Sequence, residues 1–320
     1  MFSRVVWSLF VLSLTFWVVA SNELSRTSSK CPRECECTTT SQFFMSCGSQ
    51  GSLTTIPSSI PLKVEFLSIY RNMVTEIPES ALRNLTNLMT LNLRSNKLRD
   101  FPATVFRDLI RLKSFNAGFN KLSSLPRLLF HGLRDLQQIY LDNNAIESIP
   151  EELFQDLPSL RQLDLHRNKL KKFPGNAFQG SFSLQVLSLA NNHLTSINEG
   201  TFHSQTTLKT LTIRDNRIVN ISKNAFTDLR ELKTLRLQNN NISSIPEGAF
   251  SGLKRGIDVY LNGNPFHCSC ELRWLKVWLR FKAKYIPSTA LRATCSKPDH
   301  LKGTSVMRVS NDHYNCVNGQ

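Results

Sequence analysis

Apolar residues recur along this chain with a period of 24 residues. Each period reads LxxLxLxxNxLxxIPxxxFxxLxx, so apolar residues stand 8, 5 and 3 positions before one asparagine and two positions after it. The alternation at positions −5 and −3 has the two-residue period of a short strand. Because a unit of this size cannot bury its apolar face alone, the repeat predicts a solenoid in which each coil's strand pairs in parallel with the next.

The asparagine occupies the same place in every period: Asn72, Asn96, Asn120, Asn144, Asn168, Asn192, Asn216, Asn240 and Asn264. Where the chain bends away from the strand, its backbone groups turn inward, and an unpaired buried polar group costs about 1 to 3 kcal/mol. An asparagine side chain donates and accepts at once, so we expect it to bond backbone in its own coil and in the neighbouring one. Ligand contact is disfavoured because the asparagines lie in the inward register.

Two further residue types recur on the far side of each coil. Phenylalanine stands ten positions after the asparagine, and its rings are expected to stack as a core spine: Phe106, Phe130, Phe154, Phe178, Phe202, Phe226 and Phe250. Proline in six coils argues against a long helix there. Ser181 and Gln205 replace a repeated leucine, which predicts thinner packing and local mobility in those two coils.

The pattern divides the chain into segments. Eight repeats occupy 64–255 and a ninth half-repeat 256–267, while cysteine-rich segments at 31–63 and 268–316 are expected to cover the apolar ends of the stack. Residues 1–20 predict a secretory signal peptide rather than an uncleaved anchor, followed by a flexible segment 21–30. With a short tail at 317–320 and no second long apolar run, we expect a secreted protein without stable membrane insertion.

Eight cysteines fall into two groups of four, Cys31, Cys35, Cys37 and Cys47, then Cys268, Cys270, Cys295 and Cys316. In an exported chain an even count clustered at both ends predicts disulfides, whereas the same spacing in the cytosol would favour zinc. We therefore expect no metal and no cofactor.

Outward-pointing positions next to each strand carry the residue types that anchor protein interfaces. The candidate ligand-binding residues on this concave face are Phe66, Tyr70, Arg94, Phe119, Tyr140, Asp142, Asp164, His166, Arg214 and Arg236. The alternative is a solvated face without a ligand. A catalytic triad of Ser188, His166 and an aspartate is disfavoured, because an open sheet face supplies no buried base and no oxyanion donors.

The chain is basic, with 39 Lys and Arg against 24 Asp and Glu, and residues 268–320 carry nine cations against three acids. For an exported protein this charge predicts contact with anionic glycans or cell surfaces, not nucleic acid. The candidate polyanion-binding residues follow the asparagines or lie in the C-terminal cap: Lys97, Lys121, Lys169, Arg217, Lys282, Lys284 and Arg292. A solvated edge balanced by nearby acids is the alternative.

Three sequons predict N-glycosylation, at Asn84, Asn220 and Asn241. Asn241 is placed beside the concave face by the repeat register. If it carries a glycan, we expect the ligand footprint to be confined to the first six or so repeats.

The repeats and both cysteine-rich ends resemble the extracellular leucine-rich repeat proteins with 24-residue typical repeats, over residues 31–316. The C-terminal end carries that family's Asn-Pro-Phe motif at 264–266, its CxC at 268–270 and Trp274-Leu275. The resemblance implies an α/β-type solenoid: a right-handed horseshoe with a concave parallel sheet, a convex side that is mostly irregular or 3-10, and caps stapled by disulfides. It also implies the pairs Cys31–Cys37, Cys35–Cys47, Cys268–Cys295 and Cys270–Cys316.

Within that family the chain is most similar to variable lymphocyte receptors of jawless vertebrates, then to Slit and Nogo-receptor ectodomains. The first similarity implies a non-catalytic, innate-immune type of recognition protein that binds a protein or microbial-surface ligand through the concave face. The second implies a matrix or guidance protein held by heparan sulfate through its basic cap. The Thr/Pro-rich stalk and hydrophobic tail of the lymphocyte receptors do not follow the cap, which weakens the first interpretation.

Overall fold

A computed structural model describes residues 31–39, 41–48, 51–175, 177–282, 293–314 and 316. The predicted signal peptide, flexible segment and tail lie outside the described residues.

The strands are β1 (Cys35–Thr39), β2 (Phe43–Cys47), β3 (Phe66–Ser68), β4 (Thr90–Asn92), β5 (Ser114–Asn116), β6 (Gln138–Tyr140), β7 (Gln162–Asp164), β8 (Val186–Ser188), β9 (Ser196–Ile197), β10 (Thr210–Thr212), β11 (Asn220–Ile221), β12 (Thr234–Arg236), β13 (Asp258–Tyr260), β14 (Phe266–His267) and β15 (Cys295–Lys297).

One sheet of eleven strands runs the length of the molecule, in the order β1-β2-β3-β4-β5-β6-β7-β8-β10-β12-β13. From β3 onward each coil contributes one strand, and we number the coils 1 to 9 from β3 to β13. Neighbouring strands pair in parallel with a register shift of one 24-residue repeat, as in Leu67 with Leu91 and Ile139 with Leu163. The predicted parallel-sheet solenoid is therefore confirmed.

The three-residue strands from β3 to β13 bury their middle residue and leave the two flanking residues half-exposed on the concave side. The N-terminal cap continues the same sheet, because β1 and β2 form an antiparallel hairpin and β2 pairs in parallel with β3. Met45 of β2 is buried opposite Leu67, so the cap covers the first coil with its own apolar side chain.

The convex side is mostly irregular, as the family resemblance implies. It is built from single turns, and the described part of the eight repeats contains no 3-10 helix. Several turns begin at the repeated proline, whose carbonyl accepts a bond from the amide three residues on, as in Pro102 with Val105 and Pro150 with Leu153. Proline fixes the backbone at that point and disfavours a long helix. Strands β9 and β11 add a small parallel pair beyond the asparagines of coils 6 and 7.

The phenylalanine spine falls into two runs. Phe106, Phe130, Phe154 and Phe178 stack with centroid separations of 6.2, 6.1 and 5.8 Å, and Phe202, Phe226 and Phe250 form the second run.

Ser181 and Gln205 lie near the junction of these two runs and are fully buried. The Ser181 hydroxyl donates to the Phe154 carbonyl at 2.6 Å and accepts from the Leu157 amide at 2.9 Å. Gln205 Nε2 donates to the Ser181 carbonyl at 3.0 Å. Hydrogen bonds between coils thus replace the missing leucine contacts, and mobility of these coils stays a prediction.

The repeated asparagines make the bonds that the sequence predicts. Asn168 Nδ2 donates to the carbonyl of Leu165 in its own coil at 3.0 Å and to that of Leu141 in the preceding coil at 2.9 Å. Its Oδ1 accepts from the Ile146 amide at 3.0 Å. The same three bonds recur from Asn96 to Asn264. Asn72 bonds Cys47 and Leu53 instead, so the row of asparagines also attaches the N-terminal cap.

Four disulfides close the two caps: Cys31–Cys37, Cys35–Cys47, Cys268–Cys295 and Cys270–Cys316. These are the pairs that the family resemblance implies.

The C-terminal cap contains the helix α1 (Arg273–Lys282) and short 3-10 helices at Cys270–Leu272, Asp299–Leu301 and Asn311–Tyr314. Leu275 and Leu279 of α1 are buried, Trp274 Nε1 donates to the Ile245 carbonyl at 2.9 Å, and the Trp278 ring meets Phe250 at 4.8 Å. The apolar end of the last coils is therefore covered by one face of α1. Among the described residues no helix combines the length and apolar character needed to span a bilayer.

Replacing Asn168 with alanine should destabilise the fold by about 3 kcal/mol, because three buried backbone groups lose their partner at once. Urea unfolding of protein produced without N-glycans would measure the change. Asn241→Ala is the matched control, since that side chain is exposed and one position beyond the asparagine row. Equal destabilisation by the two variants would contradict the role given to the row.

Candidate ligand-binding face

The concave face consists of the outward residues of the strands β3 to β13 together with the position that follows each strand by two residues. The sequence-based selection took most of its residues from the last residue of a strand and from this following position, and added Phe66 and Phe119. It missed the first residue of every strand after β3, which also points outward and is half-exposed: Thr90, Ser114, Gln138, Gln162, Val186, Thr210, Thr234 and Asp258. Two-residue alternation on both sides of the buried middle leucine would have identified them.

An ion pair crosses the centre of this face. Arg94 of coil 2 reaches Asp142 of coil 4, with 2.9 Å between Nη1 and Oδ1. The intervening coil carries Gly118, where a Cβ atom would lie 2.4 Å from Arg94 Nη1 and 2.5 Å from Asp142 Oδ1. Only a residue without a side chain leaves this path open, so Gly118 permits the contact between coils that are not neighbours.

The ion pair continues as a hydrogen-bonded series that we call the concave polar chain: Arg94, Asp142, Asn143, His166 and Asp164. Asn143 Nδ2 donates to Asp142 Oδ2 at 2.8 Å and lies 3.2 Å from His166 Nε2, while His166 Nδ1 lies 2.8 Å from Asp164 Oδ1. Because the amide donates to both partners, the network assigns the proton of a neutral His166 to Nδ1 and leaves Nε2 as acceptor. Side chains from coils 2, 4 and 5 are thereby held in one arrangement.

Two titratable groups in this region have shifted pKa values. The hydrogen bond that His166 donates to Asp164 raises the pKa of His166 above its usual 6.5. The charges of Asp164 and Asp142 raise it further, while burial and the charge of Arg167 lower it. Burial raises the pKa of Tyr140, and the charges of Asp164 and Asp142 raise it further. Tyr140 therefore presents a neutral hydroxyl at physiological pH, available to donate to a ligand.

Asp142 corrects one expectation about this face. The sequence predicts it as a ligand contact, but the residue is only 2% exposed. Arg94 and Asn143 cover its carboxylate, because the glycine beside it lets the arginine lie flat across the sheet. Asp142 therefore orients its neighbours instead of meeting a ligand. Arg214 is exposed, and its guanidinium bonds Asp215 of the same coil.

Aromatic side chains are exposed beside the polar chain and at both ends of the face. Phe119 is 45% exposed, has a left-handed φ of 54°, and lies under the Arg94 guanidinium at 4.4 Å. Tyr70 is 37% exposed with Arg71 over its ring, and Arg236 covers Tyr260 near the other end. These pairs combine apolar area with a fixed cation, a combination typical of interface anchors.

The N-terminal cap adds an aromatic residue that sequence reasoning did not assign to the site. Phe44 of β2 stacks on Phe66 of β3 with ring centroids 4.3 Å apart, and Phe44 remains 39% exposed. The alternation of the cap strand contained the signal, since Met45 is buried and its neighbours must then point outward.

The remaining candidate residues are placed as follows. Lys97, Lys121, Lys169 and Arg217 are exposed, but only the first two lie in adjacent coils. Lys284 and Arg292 fall outside the described residues, and for Lys282 only its place at the end of α1 is described. The sequon residues Asn84, Asn220 and Asn241 are exposed. Within the described ranges no three His, Cys, Asp or Glu side chains are grouped to hold a metal ion.

Comparison with known proteins identifies the class to which this architecture belongs. The family described as Leucine rich repeat matches residues 63–122, 110–170, 160–205 and 206–266, which is more than half of the chain. The chain therefore belongs to the leucine-rich repeat family. A search of curated proteins finds no match.

Solved structures share the fold at low sequence identity. Human 5T4 (Wnt-activated inhibitory factor 1, Trophoblast glycoprotein) superposes with a TM-score of 0.61 at 21% identity, covering 89% of this chain and 99% of that one. A chain from the octameric complex of Latrophilin 3 (Lec, Olf), Unc5D (Ig, Ig2, TSP1) and FLRT2 (LRR) gives 0.51 at 23% identity, covering 90% and 100%. These likenesses show that the chain shares the leucine-rich repeat fold of those structures.

Replacing Arg94 with alanine should destabilise the protein by about 2 kcal/mol, because the nearly buried Asp142 carboxylate then lacks its cationic partner. The same substitution in an Asp142→Asn background should cost much less, since no charge is left unpaired. Chemical denaturation of the four proteins in this double-mutant cycle measures the coupling. Additive effects would show that the two side chains act independently.

His166 should make stability depend on pH. Its pKa in the folded protein lies above the unfolded value of 6.5, so its stabilising contribution is complete below about pH 6.5 and is lost as pH rises through the folded-state pKa. Between pH 6 and 8 the wild type should therefore lose stability relative to His166→Gln. Denaturation at a series of pH values tests this, and an NMR titration midpoint for His166 below 6.5 would contradict it.

Proposed function

We propose that this protein is a secreted, non-catalytic recognition protein that binds a protein ligand on a cell or microbial surface through its concave face. The observation that carries the proposal is the concave polar chain, with exposed aromatic side chains beside it. His166 of this chain supplies an imidazole, and Tyr140 beside it supplies a neutral donor. Toward the N-terminal end Phe119 adds aromatic area and Arg94 a fixed cation, so that all four side chains lie within four coils.

The arrangement favours specific binding because its polar groups are already ordered. Binding costs free energy for every side chain that must be immobilised, about 0.5 to 1.5 kcal/mol each. Here His166 is held between Asn143 and Asp164, and Arg94 between Asp142 and the Phe119 ring. A ligand that meets these groups therefore orders few additional side chains. Asn143 and Asp142 support the contact surface from beneath.

The cellular setting follows from the caps and the start of the chain. Four disulfides are stable in an oxidising compartment, and the first 20 residues have the composition of a secretory signal. The similar chain from the complex of Latrophilin 3, Unc5D and FLRT2 belongs to an assembly of several proteins, which supports a protein as the ligand class. The recognition role is compatible with either innate immunity or cell guidance.

Replacing Tyr140 and His166 with alanine should weaken ligand binding at least tenfold, because both side chains lie at the centre of the proposed footprint. The mature chain would be tested by surface plasmon resonance against a panel of extracellular and microbial-surface proteins. Phe182→Ala is the matched control, since that ring is 54% exposed and lies before the strand β8, outside the concave face. Binding that is lost with Phe182→Ala and kept in the double variant would place the ligand outside the concave face and overturn the proposal.

A further inference from the structure

A dense group of cations lies just before the strands of the last three coils, on the edge opposite the asparagine row. We call it the pre-strand patch: Lys209, Arg230, Lys233, Lys254 and Arg255, all exposed. Lys209 and Lys233 occupy equivalent positions in adjacent coils, and the Lys233 amide donates to the Lys209 carbonyl at 2.8 Å. Adjacent parallel strands lie about 4.8 Å apart, so these two ammonium groups belong to one short row.

The acids in this region do not neutralise the patch. Glu231 bonds Lys254, and that hydrogen bond holds its pKa below the usual range, with further contributions from the charges of Lys254, Lys233 and Lys209. One carboxylate is thus shared among three lysines. Asp228 is engaged by His203, and Asp258 in β13 is half-buried at the margin. The patch retains a surplus of positive charge.

Several of these cations are held in place while their charge remains exposed. Arg255 Nε donates to the Phe281 carbonyl at the end of α1 at 3.2 Å, and the residue remains exposed. Lys209 Nζ lies 3.1 Å from Gln185 Oε1. Within the described residues the Lys233 ammonium group forms no hydrogen bond and no salt bridge, although its backbone amide bonds the Lys209 carbonyl. Cations gathered this closely repel one another, and an anion that bridges several coils relieves that repulsion.

The asparagine edge, formed by the positions that directly follow the repeated asparagines, has fewer cations in adjacent coils. Its cations, Lys97, Lys121, Lys169 and Arg217, are exposed, but Ala145 and His193 separate the later ones, so only one adjacent pair exists there. The pre-strand patch instead places five cations over three consecutive coils.

We propose that the pre-strand patch is a binding site for a linear sulfated polysaccharide. The surface is an exposed edge with cations at successive coil positions, a geometry that suits an extended chain carrying repeated anions. This site is separate from the concave face, and its test is independent of the protein-ligand experiment.

Heparin is the probe. The double variant Lys209→Gln with Lys233→Gln should elute from immobilised heparin at lower salt than the wild type and bind about tenfold more weakly at physiological salt. Its affinity should also depend less steeply on salt, because fewer counterions are released from the polyanion on binding, as in the argument developed for nucleic acids. Lys97→Gln with Lys121→Gln removes the same net charge from an adjacent pair on the asparagine edge and should leave binding nearly unchanged. Glu231→Gln should tighten binding, because it removes the acid within the patch.

The outcomes separate the alternatives. Equal weakening by the two double variants would mean that heparin responds to net charge alone, and no weakening by either would place the polyanion elsewhere; both results overturn the proposal. Desulfated heparin should bind poorly. If the wild type binds phosphatidylglycerol vesicles but not heparin, the exposed Val277 and Phe281 of α1 point to a lipid surface instead, and the sulfated ligand is wrong. Thermal melts of each variant verify the fold.

Discussion

Every coil of this protein must turn its backbone inward after a three-residue strand, and this constraint shapes the rest of the structure. A buried turn leaves amides and carbonyls that no sheet partner reaches. One asparagine per coil satisfies two carbonyls and one amide, and one of the carbonyls and the amide belong to the preceding coil. These bonds therefore set both the shape of a coil and its distance from the next. The row ends on the N-terminal cap through Asn72, so the cap is held by the same chemistry as the repeats.

A scaffold fixed in this way allows neighbouring surface positions to vary without loss of the fold. The residue before each asparagine has a left-handed φ in all nine coils, and it includes types such as Phe119 and Arg167 that rarely adopt that conformation. The asparagine bonds and the parallel register determine the backbone there, so the side chain is free to serve another purpose. At Phe119 that purpose is a rigid, exposed ring beneath an arginine. The strain is offset by the surrounding coil and preorganises the surface.

The repeat and its register could be predicted because they depend on periodicity, which a linear pattern displays. The asparagine bonds could be predicted because the backbone requirement is the same in every coil. The burial of Asp142 could not be predicted in this way, because it depends on an arginine two coils earlier and on the absence of a side chain at Gly118 between them. Such lateral contacts join positions 48 residues apart in the sequence. The half-exposed first residues of the strands were within reach of the alternation rule, whereas the exposure of Phe44 also required the pairing of β2 with β3.

The two proposed surfaces differ in whether their charged side chains are paired with opposite charges, and this difference affects what each surface can recognise. On the concave face the charge of Arg94 is paired with Asp142 and that of Arg214 with Asp215, while the Asp164 carboxylate is hydrogen-bonded by His166. Paired charges project little long-range field, so recognition there depends on contact, shape and the direction of hydrogen bonds. On the pre-strand edge the cations outnumber their acids, and the field extends to roughly the Debye length of 8 Å at physiological salt. A polyanion can be captured there without close complementarity. Concentrating the protein on a sulfated surface would then raise its encounter rate with a ligand of the concave face, while specificity stays with the paired side chains.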